Sequence, residues 1–185
     1  AGGSSFFAQM KRTLKSPGMQ FAAKHFVVIS PVCEWNWKHS PSNWTLELVQ
    51  ALCAAEWVDH TRVYLAGVSM GGMGTWELGA RRPELFAAIA PVASYHKDDN
   101  RDYLASRLRD CQTPVLAVHS HADTTCPVSQ EQLLWKRLYN NGAGCLQVEL
   151  SDALDHTQLF ESAFCDSTFL YEWLLLFKRE HDAIR

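Results

Sequence analysis

Ser69 lies in the heptapeptide Gly67 Val68 Ser69 Met70 Gly71 Gly72 Met73, after a β-type run at residues 62–66 and before a helix-type run at residues 74–81. A serine on a sharp strand-to-helix turn presents its hydroxyl clear of the backbone, where it can attack a carbonyl carbon. Such a turn implies a strained backbone at the serine itself. Glycine two residues before and two residues after it is then expected, because a side chain at either place would collide with the neighbouring strand or helix. The competing reading is a glycine-rich turn that cradles a phosphate at a helix N-terminus.

A serine hydroxyl is a weak nucleophile at neutral pH. It needs a histidine to take its proton and a buried carboxylate to orient that histidine. Asp123 lies four residues beyond the strand-type run 115–119, in His119 Ser120 His121 Ala122 Asp123 Thr124 Thr125 Cys126 Pro127. His156 lies six residues beyond the end of the run 146–150, in Asp152 Ala153 Leu154 Asp155 His156. Both fall on loops after strands, and the order serine, acid, histidine is similar to that of the α/β-hydrolases. Asp152 and Asp155 compete as the acid, but neither follows a strand in that order. His119 and His121 with Asp123 could instead ligate a metal, yet no third histidine or cysteine pair with ligand spacing supports one. The expectation is no metal and no cofactor. His119 reads as a buried strand-end residue, His121 as exposed, and His60 and His96 as surface loop residues. Trp35, Trp37 and Trp44 read equally as the wall of an acyl or aryl pocket and as packing.

The strings Asp59 His60 Thr61 Arg62 Val63 Tyr64 Leu65 Ala66 Gly67 Val68 Ser69 Met70 Gly71 Gly72 Met73 Gly74 Thr75 Trp76 and Arg82 Pro83 Glu84 Leu85 Phe86 Ala87 Ala88 Ile89 Ala90 Pro91 resemble a branch of the α/β-hydrolases. That branch comprises the predicted peptidases and the polyhydroxybutyrate depolymerase-like and feruloyl esterase-like proteins, near dienelactone hydrolases and carboxylesterases. Around its acid the branch reads His-Gly-x-x-Asp-x-x-Val-Pro. Here Ser120 replaces the glycine and Cys126 the valine, and the tryptophan often found after the histidine is missing from Thr157 Gln158 Leu159 Phe160. The resemblance implies a serine esterase in which Ser69, Asp123 and His156 are catalytic.

It also implies an oxyanion hole. One N–H would come from Met70, directly after the nucleophile, and one from the loop Ala1 Gly2 Gly3, which is similar to the tail of the family's His-Gly motif, so that Gly2 or Gly3 supplies the second donor. In that topology a strand stands between the one at residues 26–30 and the one at residues 62–66. The chain is therefore expected to be the carboxyl-terminal portion of a longer polypeptide, with the missing amino-terminal strands carried by additional polypeptide.

The elements that must hold these residues alternate strand with helix, the pattern of an α/β protein with a parallel sheet flanked by helices. Strands are expected at residues 26–30, 62–66, 86–93, 113–119 and 146–150. The first, a continuous apolar run stopped by Pro31, should be buried on both faces. Helices are expected at residues 43–57, 74–81, 101–109, 129–140 and 167–179, with Ser129 capping the fourth, Gln132 three residues on, and Gly142 and Gly144 ending it.

The chain has 185 residues, of which 47% are hydrophobic, enough to bury one substantial core and too few to argue for two domains, so residues 1–185 are expected to form a single domain. A net charge of −3 with both signs scattered leaves no basic stripe for nucleic acid or an anionic membrane surface. The longest apolar run, residues 169–177, is too short to span a bilayer and is broken by Glu172. Six cysteines at wide spacing read as unpaired thiols that are mostly buried, with one or more disulfides the alternative. The activity expected is hydrolysis of a small-molecule ester. A peptidase, a thioesterase and a non-catalytic hydrolase-like subunit of a larger assembly are the alternatives.

Overall fold

A computed structural model describes residues 14–32, 37, 44–96, 100–140 and 146–179. Its sheet has four parallel strands in chain order, β1 (Tyr64–Val68), β2 (Ala88–Val92), β3 (Val115–Ser120) and β4 (Leu146–Ser151). The helices are α1 (Pro17–His25), α2 (Trp44–Cys53), α3 (Met70–Arg81), α4 (Arg101–Asp110), α5 (Val128–Asn140), α6 (His156–Phe160) and α7 (Phe169–Leu175), with a π-helical turn at Glu161–Asp166 after α6.

Alternation along the strands sorts the core into two layers. Ile89, Val115 and Ala117 face a cluster built from Leu46, Trp76, Leu78, Leu104, Leu108, Leu134 and Leu138 on α2 to α5. Ala88, Ala90, Val92 and Leu116 face the other way, onto Ala22, Leu159, Leu170, Tyr171 and Trp173 from α1, α6 and α7. The central strands β2 and β3 are thus covered on both faces, as parallel sheets require, whereas the edge strand β4 is largely exposed.

Residues 26–30 correct the sequence reading. They are extended but join no strand of the sheet, and Val27, Val28 and Ile29 are 69%, 54% and 47% exposed. A β-branched run signals extended backbone, and burial follows only where a neighbouring strand covers it. Among the described residues β1 is hydrogen-bonded to a strand on one side only, that of β2. Boundaries also move: β1 spans Tyr64–Val68 rather than residues 62–66, and α3 begins at Met70 rather than at residue 74. α2 stops at Cys53, α7 covers only Phe169–Leu175, and α5 begins at Val128, so Ser129 lies inside the helix rather than capping it. α1 was not expected. It starts at a proline, which suits a first helical turn, and packs by its small residues: a Cβ on Gly18 would come within 2.6 Å of the Phe164 carbonyl oxygen in the π-helical turn. Gly142, Gly144 and Trp35 lie outside the described residues.

Candidate active site

Ser69 lies between the last residue of β1 and the first residue of α3, with φ 57° and ψ −119°. A non-glycine residue pays for that conformation, and the surroundings hold it there. Its N–H donates to the Val92 carbonyl at 2.9 Å, and its carbonyl accepts from Met73 N–H at 3.0 Å. The glycines carry unequal burdens. A Cβ on Gly67 would stand 2.4 Å from the Gly71 carbonyl oxygen, and one on Gly72 would stand 2.7 Å from the Val92 oxygen and 2.8 Å from Ser94 Cβ. A Cβ on Gly71 meets nothing within 4 Å, contrary to the expectation that both positions flanking the serine exclude a side chain.

Asp123 follows β3 on a turn and is 3% exposed. Its Oδ1 accepts from the N–H groups of Thr125 at 2.9 Å and Cys126 at 2.8 Å, which leaves Oδ2 for His156 Nδ1 at 2.8 Å. His156 is the first residue of α6. Asp155 caps that helix, its carboxylate accepting from Thr157 N–H and Gln158 N–H, while the Gln158 side chain accepts from Asp155 N–H. The capping box fixes the direction in which the His156 ring leaves the backbone. Asp155 is thereby engaged as a cap, and Asp152 is an exposed residue 3.9 Å from His121. Ser120, at the position where a glycine was expected, is buried at the end of β3, and its Oγ accepts from Ala122 N–H at 3.1 Å, so the serine makes the turn with its own side chain.

The third group arrives through a cysteine. One ligating atom each from Asp123, Cys126 and His156 lie within 4.8 Å of one another, and the Ser69 hydroxyl lies against the Cys126 thiol. Burial and, to a smaller extent, the Asp123 carboxylate push that thiol up to about 11, against the opposing effect of Ser69. Among the described residues no hydrogen bond joins Ser69 to His156. Catalytic hydrogen bonds are often long before substrate arrives. Met70 N–H heads α3 beside Ser69. Gly2 and Gly3 lie outside the described residues.

Behind the site is a buried network that the sequence reading missed. Glu131, on the apolar face of α5 with Val128, Leu134, Trp135 and Leu138, accepts from Trp76 Nε1–H at 2.7 Å and from Ser94 Oγ–H at 2.8 and 3.0 Å. The Ser94 carbonyl in turn meets His119 Nε2 at 2.9 Å, while His119 Nδ1 accepts from Ser120 N–H. Burial holds the His119 pKa below its ordinary value and pushes Glu131 up to about 7. The signal was present, since a carboxylate at helical spacing inside an apolar stripe is a buried charge in need of partners. His119 is fully buried and His121 exposed, as read from the sequence, but His96 is buried, not on the surface. Trp37 packs against the core and would collide with a Cβ on Gly74, so it serves as packing. Cys126 is buried and Cys53 and Cys111 partly so, all three as thiols; Cys33 and Cys145 lie outside the described residues.

A family model described as the prolyl oligopeptidase family matches residues 32–105, which contain Ser69 and stop short of Asp123 and His156. FphF, a fluorophosphonate-binding serine hydrolase of Staphylococcus aureus solved with substrate bound, superposes with a TM-score of 0.71 over 91% of this chain and 78% of its own, at 17% identity. The chain has the α/β-hydrolase fold. A thermostable esterase shares that fold with it at a TM-score of 0.63 and 24% identity, over 74% of this chain and 36% of the esterase. Cutinase est1 of Thermobifida alba is 39% identical over 72 residues, and the cutinase of Thermobifida fusca 33% identical over 84. Those matches cover 39% and 45% of this chain, and the chain spans only 22% and 24% of the length of these curated relatives. No helix among the described residues is long and apolar enough to cross a membrane.

Proposed function

We propose that this α/β-hydrolase cleaves a carboxylic ester through an acyl-enzyme on Ser69. The observation that carries the reading is the 2.8 Å pairing of His156 Nδ1 with a carboxylate buried on all other sides, beside a serine held at positive φ. Asp123, fixed by two backbone N–H groups, holds the Nδ1–H tautomer of His156 and leaves Nε2 free to accept a proton. Ser69 turns its hydroxyl from Cys126 toward Nε2, gives up the proton as Oγ attacks the carbonyl carbon, and forms the tetrahedral intermediate. His156 returns the proton to the leaving alcohol. A water then repeats the sequence to release the acid.

Met70 N–H is one donor for the oxyanion, and Gly2 or Gly3 is assigned the second. Each such donor is worth about 3 kcal/mol of transition-state stabilisation. No cofactor enters the scheme. Similarity to cutinases and esterases supports an ester substrate, whereas the prolyl oligopeptidase match favours an amide, which the same groups would cleave.

A strand from additional polypeptide is proposed to pair with the side of β1 on which no described residue forms a strand, since parallel sheets leave few unpaired backbone groups. Reaction with a fluorophosphonate probe tests the activity. Labelling that disappears in Ser69→Ala, with turnover of short-chain nitrophenyl esters, supports it. Folded protein that neither labels nor turns over ester supports a non-catalytic subunit instead, and turnover of peptides alone supports the amide reading.

A further inference from the structure

We propose that Asp123, Cys126 and His156 form a binding site for a thiophilic divalent cation such as Zn²⁺ or Cd²⁺, and that its occupation switches the hydrolase off. The inhibition rests on the catalytic reading given above; the binding does not.

Carboxylate, thiolate and imidazole are a zinc donor set, and each residue offers one ligand atom within 4.8 Å of the other two. Bond lengths of ~2.0 Å to nitrogen and oxygen and ~2.3 Å to sulfur place tetrahedral ligands about 3.3–3.5 Å apart. The longest separation must therefore close by no more than about 1.5 Å, and the His156–Asp123 contact at 2.8 Å must open slightly. The loop is already braced for this. Thr125 and Cys126 N–H occupy Oδ1 and aim Oδ2 at the site, which is what outer hydrogen bonds do for metal ligands.

The charges also close. A divalent cation with one thiolate, one carboxylate and a neutral imidazole has no net charge, so its burial leaves no unpaired ion. The Asp123 side chain is fully buried, and the His156 side chain, 23% exposed, gives the way in.

On binding, the Cys126 S–H bond breaks, an S–metal bond forms, and the proton leaves to solvent. His156 coordinates through Nδ1, so the ring proton moves from Nδ1 to Nε2. An imidazole protonated at Nε2 cannot accept the Ser69 proton. Water or the Ser69 hydroxyl, which lies against the thiol, takes the fourth position.

The test is a titration of the purified protein with Cd²⁺, read by the ultraviolet charge-transfer absorption of a cadmium–thiolate bond. The expected result is one saturable equivalent in the wild type and in Cys53→Ser and Cys111→Ser that is missing in Cys126→Val. His156→Ala should bind at least about tenfold more weakly. Zn²⁺ should slow fluorophosphonate labelling in the wild type, and at least tenfold higher Zn²⁺ should be needed in Cys126→Val, each measured against its own metal-free rate. If Cys126→Val does not fold, Cys126→Ser is read in its place. Cadmium absorption that survives loss of the Cys126 thiol, or unchanged affinity in His156→Ala, overturns the site. A protein that binds Cd²⁺ through Cys126 yet never labels leaves the site standing and refutes only the hydrolase reading.

Discussion

His156 Nδ1 lies 2.8 Å from Asp123 Oδ2, although 33 residues separate them in the chain. Two adjacent strands bring them together. β3 and β4 run in parallel register, with His119 opposite Leu150 and Ser120 opposite Ser151, and each sheds its loop at the same end of the sheet.

Replacing Asp123 with asparagine keeps the size of the side chain but removes its charge and lets the amide favour the wrong histidine tautomer. The expected loss in kcat is about 10⁴-fold, with KM little changed. Steady-state kinetics on a nitrophenyl ester measure it, and a loss below tenfold would remove Asp123 from the mechanism.

Asp155 offers the control. Asn is as good a cap as Asp, so Asp155→Asn should retain both stability and rate. Asp155→Ala loses the cap and should cost about 1 kcal/mol, with a fall in rate as the His156 ring loses its bearing. Chemical denaturation and kinetics on the two variants read this. A large loss in Asp155→Asn would make Asp155, not Asp123, the acid.

The two elbow glycines should part company. Gly67→Ala drives a Cβ to 2.4 Å from backbone oxygen and is expected to destabilise by roughly 1–3 kcal/mol or abolish folding. Gly71→Ala meets open space, and helix propensity at the start of α3 makes it neutral or slightly stabilising. Melting temperatures of the pair decide the matter.

Glu131 has its carboxyl pushed up to about 7 from an ordinary value of 4.5, with burial the principal cause. A carboxyl whose pKa is raised on folding binds its proton more tightly in the native state. Its contribution to stability is full below about pH 4.5 and is lost as pH rises through about 7. Unfolding free energy should therefore fall by a few kcal/mol between those limits on account of this group. Glu131→Gln should flatten that part of the profile, and parallel slopes in the two proteins would show that Glu131 does not titrate there.

The parts of the candidate site legible in the sequence were those that local backbone demands fix. The sharp turn at Ser69 could be read from its glycines and its place between a strand-type and a helix-type run, and the proximity of Asp123 and His156 because loops after successive parallel strands open at one end of a sheet. Neighbourhood was harder to read. Residues 26–30 carry an apolar run that is the same whether or not another strand covers it. Cys126 came to the serine only because the loop after β3 folds back on the end of β1, which no spacing reports. The partners of Glu131 likewise depend on how α5 meets Trp76 of α3 and Ser94 beyond β2.

The register of β3 and β4 has a further consequence. On the proposed mechanism the acid Asp123 and the base His156 follow neighbouring strands of one hydrogen-bonded ladder, so their separation is tied to an interstrand spacing of about 4.8 Å that hardly varies. Ser69 follows β1, two strands from β3 and three from β4. Any shear or change of twist in the sheet accumulates over those steps and would appear at the gap between Ser69 and His156, while the Asp123–His156 pair rides along unchanged. The sheet thus places its mechanical compliance in the distance that the proposed reaction must shorten.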